Sequence, residues 1–126
     1  MLANILIIDD SLLQRMIIRN IIEEGGYKVL EASSGNEGLK MIESHKPDCI
    51  ILDLLMPDIN GIKILETLGD RTTEIPVVIV TSDIQESTRQ QCIELGASGF
   101  LNKPPKKDML LNILNKHLKN KKDNNE

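Results

Sequence analysis

The sequence predicts an α/β fold in which five strands alternate with five helices around one parallel sheet. Two observations carry this expectation. Short, near-continuous apolar runs such as Ile5–Ile8, Ile50–Leu52 and Val77–Val80 recur between longer segments with apolar residues at helical spacing. Strands that alternate with helices form parallel sheets covered on both faces, and strands so covered have no polar side. Four of the runs also end abruptly in polar residues: Asp9-Asp10-Ser11, Asp53, Thr81-Ser82 and Asn102-Lys103. The carboxyl edge of an open α/β sheet is where ligands bind.

The elements follow in order. A first strand is expected at about Asn4–Ile8. The helix after it carries Leu13, Ile17 and Ile21 on one side. Ser11-x-x-Gln14 offers it a capping box, and Gly25-Gly26 ends it because glycine tolerates a left-handed backbone. A second strand spans about Lys28–Ala32. Ser34-x-x-Glu37 repeats the capping signal for a helix reaching about Ser44, which Pro47 stops. The third strand is Cys49–Leu52. A loop with Pro57 and Gly61 leads to a helix ending near Gly69. Ile75-Pro76 opens a fourth strand, Val77–Val80, and Asp83-x-x-Glu86 is expected to cap a helix that runs to about Leu95 and stops at Gly96. A fifth strand, Gly99–Asn102, precedes a helix with Asp108 at its start and Leu110, Ile113, Leu114 and Leu118 as its apolar stripe. Residues 1–118 thus read as one domain, and the polar tail 119–126 is expected to be frayed or disordered.

Composition narrows the function. A chain of 126 residues is one domain's worth, large enough for one real core. Tyr27 and Phe100 are its only aromatics, so aliphatic side chains must fill that core. A net charge of −4 argues against binding nucleic acid through the whole surface. No apolar run approaches the roughly 20 residues of a membrane helix, and the few apolar residues before Asp9 do not make a secretory signal. Cys49 and Cys92 lack metal spacing. Cys49 reads as a small core residue and Cys92 as a helix residue without special role. A cytoplasmic location fits.

The chemistry lies at the strand ends. If Asp9, Asp10 and Asp53 sit on adjacent strands, three carboxylates crowd one pocket, and that arrangement needs cations. Mg²⁺, a hard ion held by oxygen, suits the set when phosphate is also present, and Lys103 adds a second positive charge. Asp53 stands alone at the end of the central strand and is the candidate nucleophile, giving an aspartyl phosphate. Asp9 and Asp10 are then metal-shell residues. Mg²⁺ and Lys103 would neutralise charge on the equatorial phosphoryl oxygens. A lone Asp at a strand end is often only a turn former; here the whole set recurs at matching strand ends.

These residues resemble the receiver domain of two-component response regulators, in particular the single-domain chemotaxis type. The likeness covers about Ile5 to Leu118. It rests on Asp9-Asp10, on Asp53-Leu-Leu-Met-Pro57-Asp-Ile-Asn-Gly61, on Thr81-Ser82, and on Gly99-Phe-Leu-Asn-Lys103-Pro104. The resemblance implies a flavodoxin-like (βα)5 fold with strand order 2-1-3-4-5. It implies that Asp53 takes phosphate from a phosphohistidine of a sensor histidine kinase or histidine phosphotransfer protein. It implies Mg²⁺ held by Asp10, Asp53 and the backbone carbonyl of Leu55, with Asp9 acting through water, and a phosphate site built from Leu54, Leu55, Thr81, Ser82 and Lys103. Thr81 would draw its loop toward the phosphoryl group while Phe100 turns from exposed to buried, altering the face of the fourth helix, fifth strand and fifth helix. The lesser alternative for Phe100 is a plain core or edge aromatic; the switch role is favoured because the position matches and aromatics are scarce here.

The same likeness implies a signalling module that catalyses only its own phosphorylation and dephosphorylation. Its output would pass through another, unnamed protein, with no direct contact to nucleic acid or membrane, as a monomer or a weak phosphorylation-dependent dimer. Three departures from the family pattern stand out. Ser82 stands where alanine or glycine is common, Leu55 is apolar and cannot hold an attacking water, and Pro105-Lys106-Lys107 replaces a large apolar residue after Lys103-Pro104. The Lys103-Pro104 bond is a candidate cis peptide. His45 and His117 read as surface residues, and the lysines from Lys116 to Lys122 as a solvated helix end or a docking patch. A dehalogenase-type phosphatase would need a second aspartate where Leu55 stands. A flavodoxin-like nucleotide or flavin carrier would need a phosphate-cradling loop where Asp9-Asp10 stands.

Overall fold

The computed structural model describes residues 2–118, so the expected tail at 119–126 lies outside the described residues. The chain runs β1 (Asn4–Ile8), α1 (Leu12–Glu24), β2 (Lys28–Ala32), α2 (Gly35–His45), β3 (Cys49–Leu52), α3 (Gly61–Leu68), a 3₁₀ turn (Gly69–Thr73), β4 (Val77–Thr81), α4 (Glu86–Glu94), β5 (Gly99–Asn102) and α5 (Lys107–Leu118). The sheet order is β2-β1-β3-β4-β5, and every neighbouring pair is parallel. This is the flavodoxin-like (βα)5 architecture, and every strand lies within one residue of its expected bounds.

Alternate residues of each central strand feed different cores, which is why the strands read as unbroken apolar runs. Ile5, Ile7, Cys49, Ile51, Val78 and Val80 face one layer, where Ile18 and Ile22 of α1 meet Leu110 and Leu114 of α5. Leu6, Ile8, Ile50, Leu52, Val77 and Ile79 face the other, against α2, α3 and Cys92 of α4. Cys49 is a core residue as expected, and burial pushes its thiol up to about 12, which keeps it protonated and inert.

Local signals behaved unevenly. Ser11 and Ser34 are the N-caps of α1 and α2, accepting from the amides of Gln14 (3.2 Å) and Glu37 (3.1 Å). The return bond of the first capping box is not made, because the Ser11 amide donates to Asp9 Oδ1 instead. Leu13 is exposed, and α1 buries Ile18 and Ile22; at 3.6 residues per turn Leu13 lies roughly 140° round the helix from Ile18, away from the buried stripe. Asp83 does not cap α4. Its carboxylate accepts from the Gln85 amide and the Thr88 hydroxyl, so the turn it closes delays the helix to Glu86. Lys46 ends α2 in the left-handed region at φ 47°, one residue before Pro47. The 3₁₀ turn after α3 was not expected; Gly69 opens it with φ 52°.

Register delivers the strand ends together. Ile8 pairs with Leu52 and Leu52 with Ile79, so Asp9 and Asp53 leave adjacent strands side by side. Gly61 then brings α3 against the residue that follows β3. A Cβ there would lie 2.4 Å from the Asp53 carbonyl oxygen and 2.8 Å from Leu54 Cα, both backbone atoms with little room to yield. Gly61→Ala should therefore destabilise the protein by roughly 1–3 kcal/mol, as overpacking does, read as a lower urea midpoint with an unchanged slope.

Candidate functional site

Among the described residues, the buried polar side chains are Asp9, Asp53 and Thr81, and all three stand at the carboxyl edge of β1, β3 and β4. Burying a charge is unfavourable unless it is paired, and here the partner comes from the end of β5. Lys103 Nζ lies 2.9 Å from Asp9 Oδ2 and 3.0 Å from Asp53 Oδ2. Backbone amides hold the other oxygens: Ser11 N–H donates to Asp9 Oδ1 (2.9 Å) and Leu55 N–H to Asp53 Oδ1 (3.3 Å). The Lys103-Pro104 peptide is cis, and the Lys103 amide donates to the Thr81 carbonyl (3.0 Å), tying the lysine loop to β4.

Two carboxylates and one ammonium leave the buried cluster with a net negative charge. Asp10 adds another at the exposed rim, with one oxygen from each of Asp9, Asp10 and Asp53 within 4.8 Å of the others. Burial raises the Asp9 carboxyl above its ordinary value, and the opposing pull of Lys103 and the Ser11 amide does not cancel that. For Lys103, burial acts downward, but its close contacts with the Asp9 and Asp53 carboxylates outweigh it and the net shift is up. Asp9 Oδ2 has no well-directed hydrogen bond despite its ionic contact with Lys103, so a buried lone pair keeps its capacity for a further cation. Three hard oxygen donors with excess negative charge fit Mg²⁺, which keeps part of its water shell in such sites.

The remaining expected residues divide by position. The Thr81 hydroxyl accepts from the Asp83 amide (3.3 Å), which leaves its own proton for another acceptor. Ser82 is exposed beside it. Leu54 buries its side chain in the core, so only its backbone could meet a phosphate, while the Leu55 side chain is half-exposed at the rim. Phe100 is half-buried on β5, packed against the α2–α4 core. Next to it, Ile84, Arg89, Asn102 and Met109 border a groove of about 300 Å³. His45 and His117 are exposed and are not brought to the site; His45 Nδ1 is hydrogen-bonded to Ser44.

The sequence reading missed Asp58. Its carboxylate accepts from the amides of Gly35 (3.1 Å) and Asn36 (2.8 Å), so the loop after Asp53 caps α2 from outside that helix. The partners lie 22 and 23 residues away, beyond any local capping pattern. The Asn36 amide bond comes first among the causes that hold the Asp58 carboxyl below its ordinary value.

A family model for the response regulator receiver domain matches residues 5–115. The chain is 43% identical over 104 residues to a protein-glutamate methylesterase/protein-glutamine glutaminase of Treponema pallidum, covering 79% of this chain but 26% of that protein. It is 34% identical over 116 residues to protein PilH of Pseudomonas aeruginosa, covering 90% of this chain and 96% of PilH. A crystal structure of a response regulator receiver domain protein from Clostridium thermocellum superposes with a TM-score of 0.86 at 31% identity, over 95% of this chain and 97% of that one. Among the described residues, no helix is long and apolar enough to cross a membrane.

Asp58→Ala should free the Gly35 and Asn36 amides, seen as faster hydrogen exchange at those two positions with the sheet amides unchanged. A depressed carboxyl keeps its bonds until pH falls through its folded value. In the wild type the two amides should therefore stay protected through the ordinary aspartate range, near 3.8, and lose protection only below it.

Proposed function

The chain belongs to the response regulator receiver family, and from that premise we propose that Asp53 is its phosphoacceptor. The observation that carries the proposal is the buried Asp9–Lys103–Asp53 cluster with Asp10 at its rim. An Asp53 carboxylate oxygen attacks the phosphorus of a histidine-bound phosphoryl group. A P–O bond forms, the P–N bond breaks, and the imidazole leaves with the electron pair. Asp10, Asp53 and the Leu55 carbonyl would hold Mg²⁺, with Asp9 acting through water, and the bound ion would supply positive charge against the phosphoryl oxygens.

The protein's own groups do the rest. Lys103 exchanges its carboxylate contact for a phosphoryl oxygen, keeping its charge compensated. The Leu54–Leu55 backbone and Ser82 flank the group without filling its space. The Thr81 hydroxyl donates to it, and the move draws the loop after β4 inward. The added charge, about −1.5 to −2, favours whichever arrangement of this loop brings donors close. Phe100, one strand over and beside the groove between α4 and α5, turns inward with that change. The face of α4, β5 and α5 then presents a different surface to a partner protein. The same reading has the output pass by such docking, in a cytoplasmic relay fed by a sensor histidine kinase or a histidine phosphotransfer protein. The domain of 1–118 is thereby a signalling module whose only reactions are the gain and loss of its own phosphoryl group.

Two measurements test this reading. Intact mass after incubation with a small acyl phosphate and Mg²⁺ should show one added phosphoryl group on the wild type and none on Asp53→Asn; modification of the variant would overturn the assignment. Leu55 cannot orient a water at the rim, so spontaneous hydrolysis should be slow. Leu55→Asn should shorten the phosphoryl lifetime about tenfold, a barrier change of about 1.4 kcal/mol. An unchanged lifetime would refute the role given to Leu55.

A further inference from the structure

Arg15, on the first turns of α1, reaches back toward the acidic pocket without entering it. Its Nη1 donates to the backbone carbonyl of Asp9 at 2.6 Å, and its Nε donates to Glu31 Oε1 at 2.9 Å. The other Glu31 oxygen accepts from Arg19 Nε at 2.8 Å, one turn further along α1. Glu31 is the penultimate residue of β2, so one carboxylate gathers two arginines from the helix that follows the acidic pair. The Arg15 side chain is only 12% exposed. A guanidinium so enclosed is retained only where its planar fork is well matched.

The consequence runs through the peptide plane. The carbonyl that Arg15 holds belongs to the rigid unit that includes the amide of Asp10. Asp9 is already fixed on its other sides: its N–H donates to the Ala32 carbonyl, Oδ1 accepts from Ser11, and Oδ2 faces Lys103. Fixing the carbonyl therefore fixes the tilt of the Asp9–Asp10 peptide, and with it the direction in which the exposed Asp10 side chain leaves the chain. We propose that Arg15, braced by Glu31, is a positioning residue that aims the Asp10 carboxylate at the metal site. The inference rests on the function proposed above and adds to it a residue that touches neither metal nor phosphate.

The sign of the effect separates positioning from simple charge. A guanidinium near three carboxylates repels a divalent cation, so removing its charge should tighten metal binding if electrostatics were its only influence. Positioning makes the opposite demand. Mg²⁺ titration calorimetry on the folded full chain, well below its thermal midpoint, distinguishes them. Arg15→Met, which keeps the apolar stem, should raise the dissociation constant about tenfold, the lower end of what loss of an outer supporting bond costs a metal site. Arg15→Lys keeps the charge but cannot serve both acceptors, and should fall between; it carries the same comparison should Arg15→Met not fold. Arg19→Met removes a Glu31 ion pair while sparing the Asp9 carbonyl, and should stay within about twofold of the wild type. Unchanged or tighter binding in the Arg15 variants, or an equal loss in Arg19→Met, would overturn the inference. A wild type that bound no Mg²⁺ and accepted no phosphoryl group would instead sink the reading of the site itself.

Discussion

Everything at the carboxyl edge depends on one ammonium shared by two buried carboxylates. Lys103 sits 2.9 Å from Asp9 and 3.0 Å from Asp53, yet burial still leaves the Asp9 carboxyl above its ordinary value. Desolvation outweighs the single cation that answers it. A buried ion cluster of this kind is weak evidence for stability, since well-packed apolar groups would serve the fold as well or better. Its retention is better explained by chemistry that needs excess negative charge, which a divalent cation relieves and an uncharged pocket could not use.

The fold holds this cluster by means that contribute nothing to its charge. Parallel register sets Asp9 beside Asp53, Gly61 lets α3 approach the Asp53 carbonyl, and Asp58 ties the intervening loop to the start of α2. Each device acts on backbone, and backbone determines where a short aspartate side chain can reach. The acidic residues are therefore placed by the chain around them more than by each other, as expected when like charges must be held close against their own repulsion.

What could be read in the sequence follows from this division. Strands buried on both faces announce themselves as apolar runs, and the polar residue that ends each run is conspicuous, so the places of Asp9, Asp53, Thr81 and Lys103 were legible. The supporting contacts were not. Arg15 meets Glu31 across 16 positions, and Asp58 meets the amides of α2 across more than 20, and no local pattern marks either pair. The start of α4 was misread because Asp83 carries a capping signal that its own turn consumes through Gln85 and Thr88. Local chemistry identifies which groups are available, whereas the tertiary fold decides which of several local bonds is made.

Helix α4 is where the molecule has freedom. The N-cap of α4 makes no side-chain hydrogen bond, and Cys92 is the helix's one buried side chain. Ile84, in the loop before the helix, and Ile93, within it, are exposed to solvent. By contrast α5 buries Leu110, Leu114 and Leu118. A segment with few apolar anchors opens or shifts at small energetic cost. Thr81 stands at the head of the loop leading into α4 and contacts it through the Asp83 amide. A ligand moves an equilibrium only by its differential affinity for the two states, so a single new bond at Thr81 has leverage only on an element this lightly held. Under the proposed function, the firmly paired acidic pocket and the lightly anchored helix beside it are complementary requirements: the first keeps the site's charge in place, and the second keeps the cost of responding to it within what one phosphoryl group would supply.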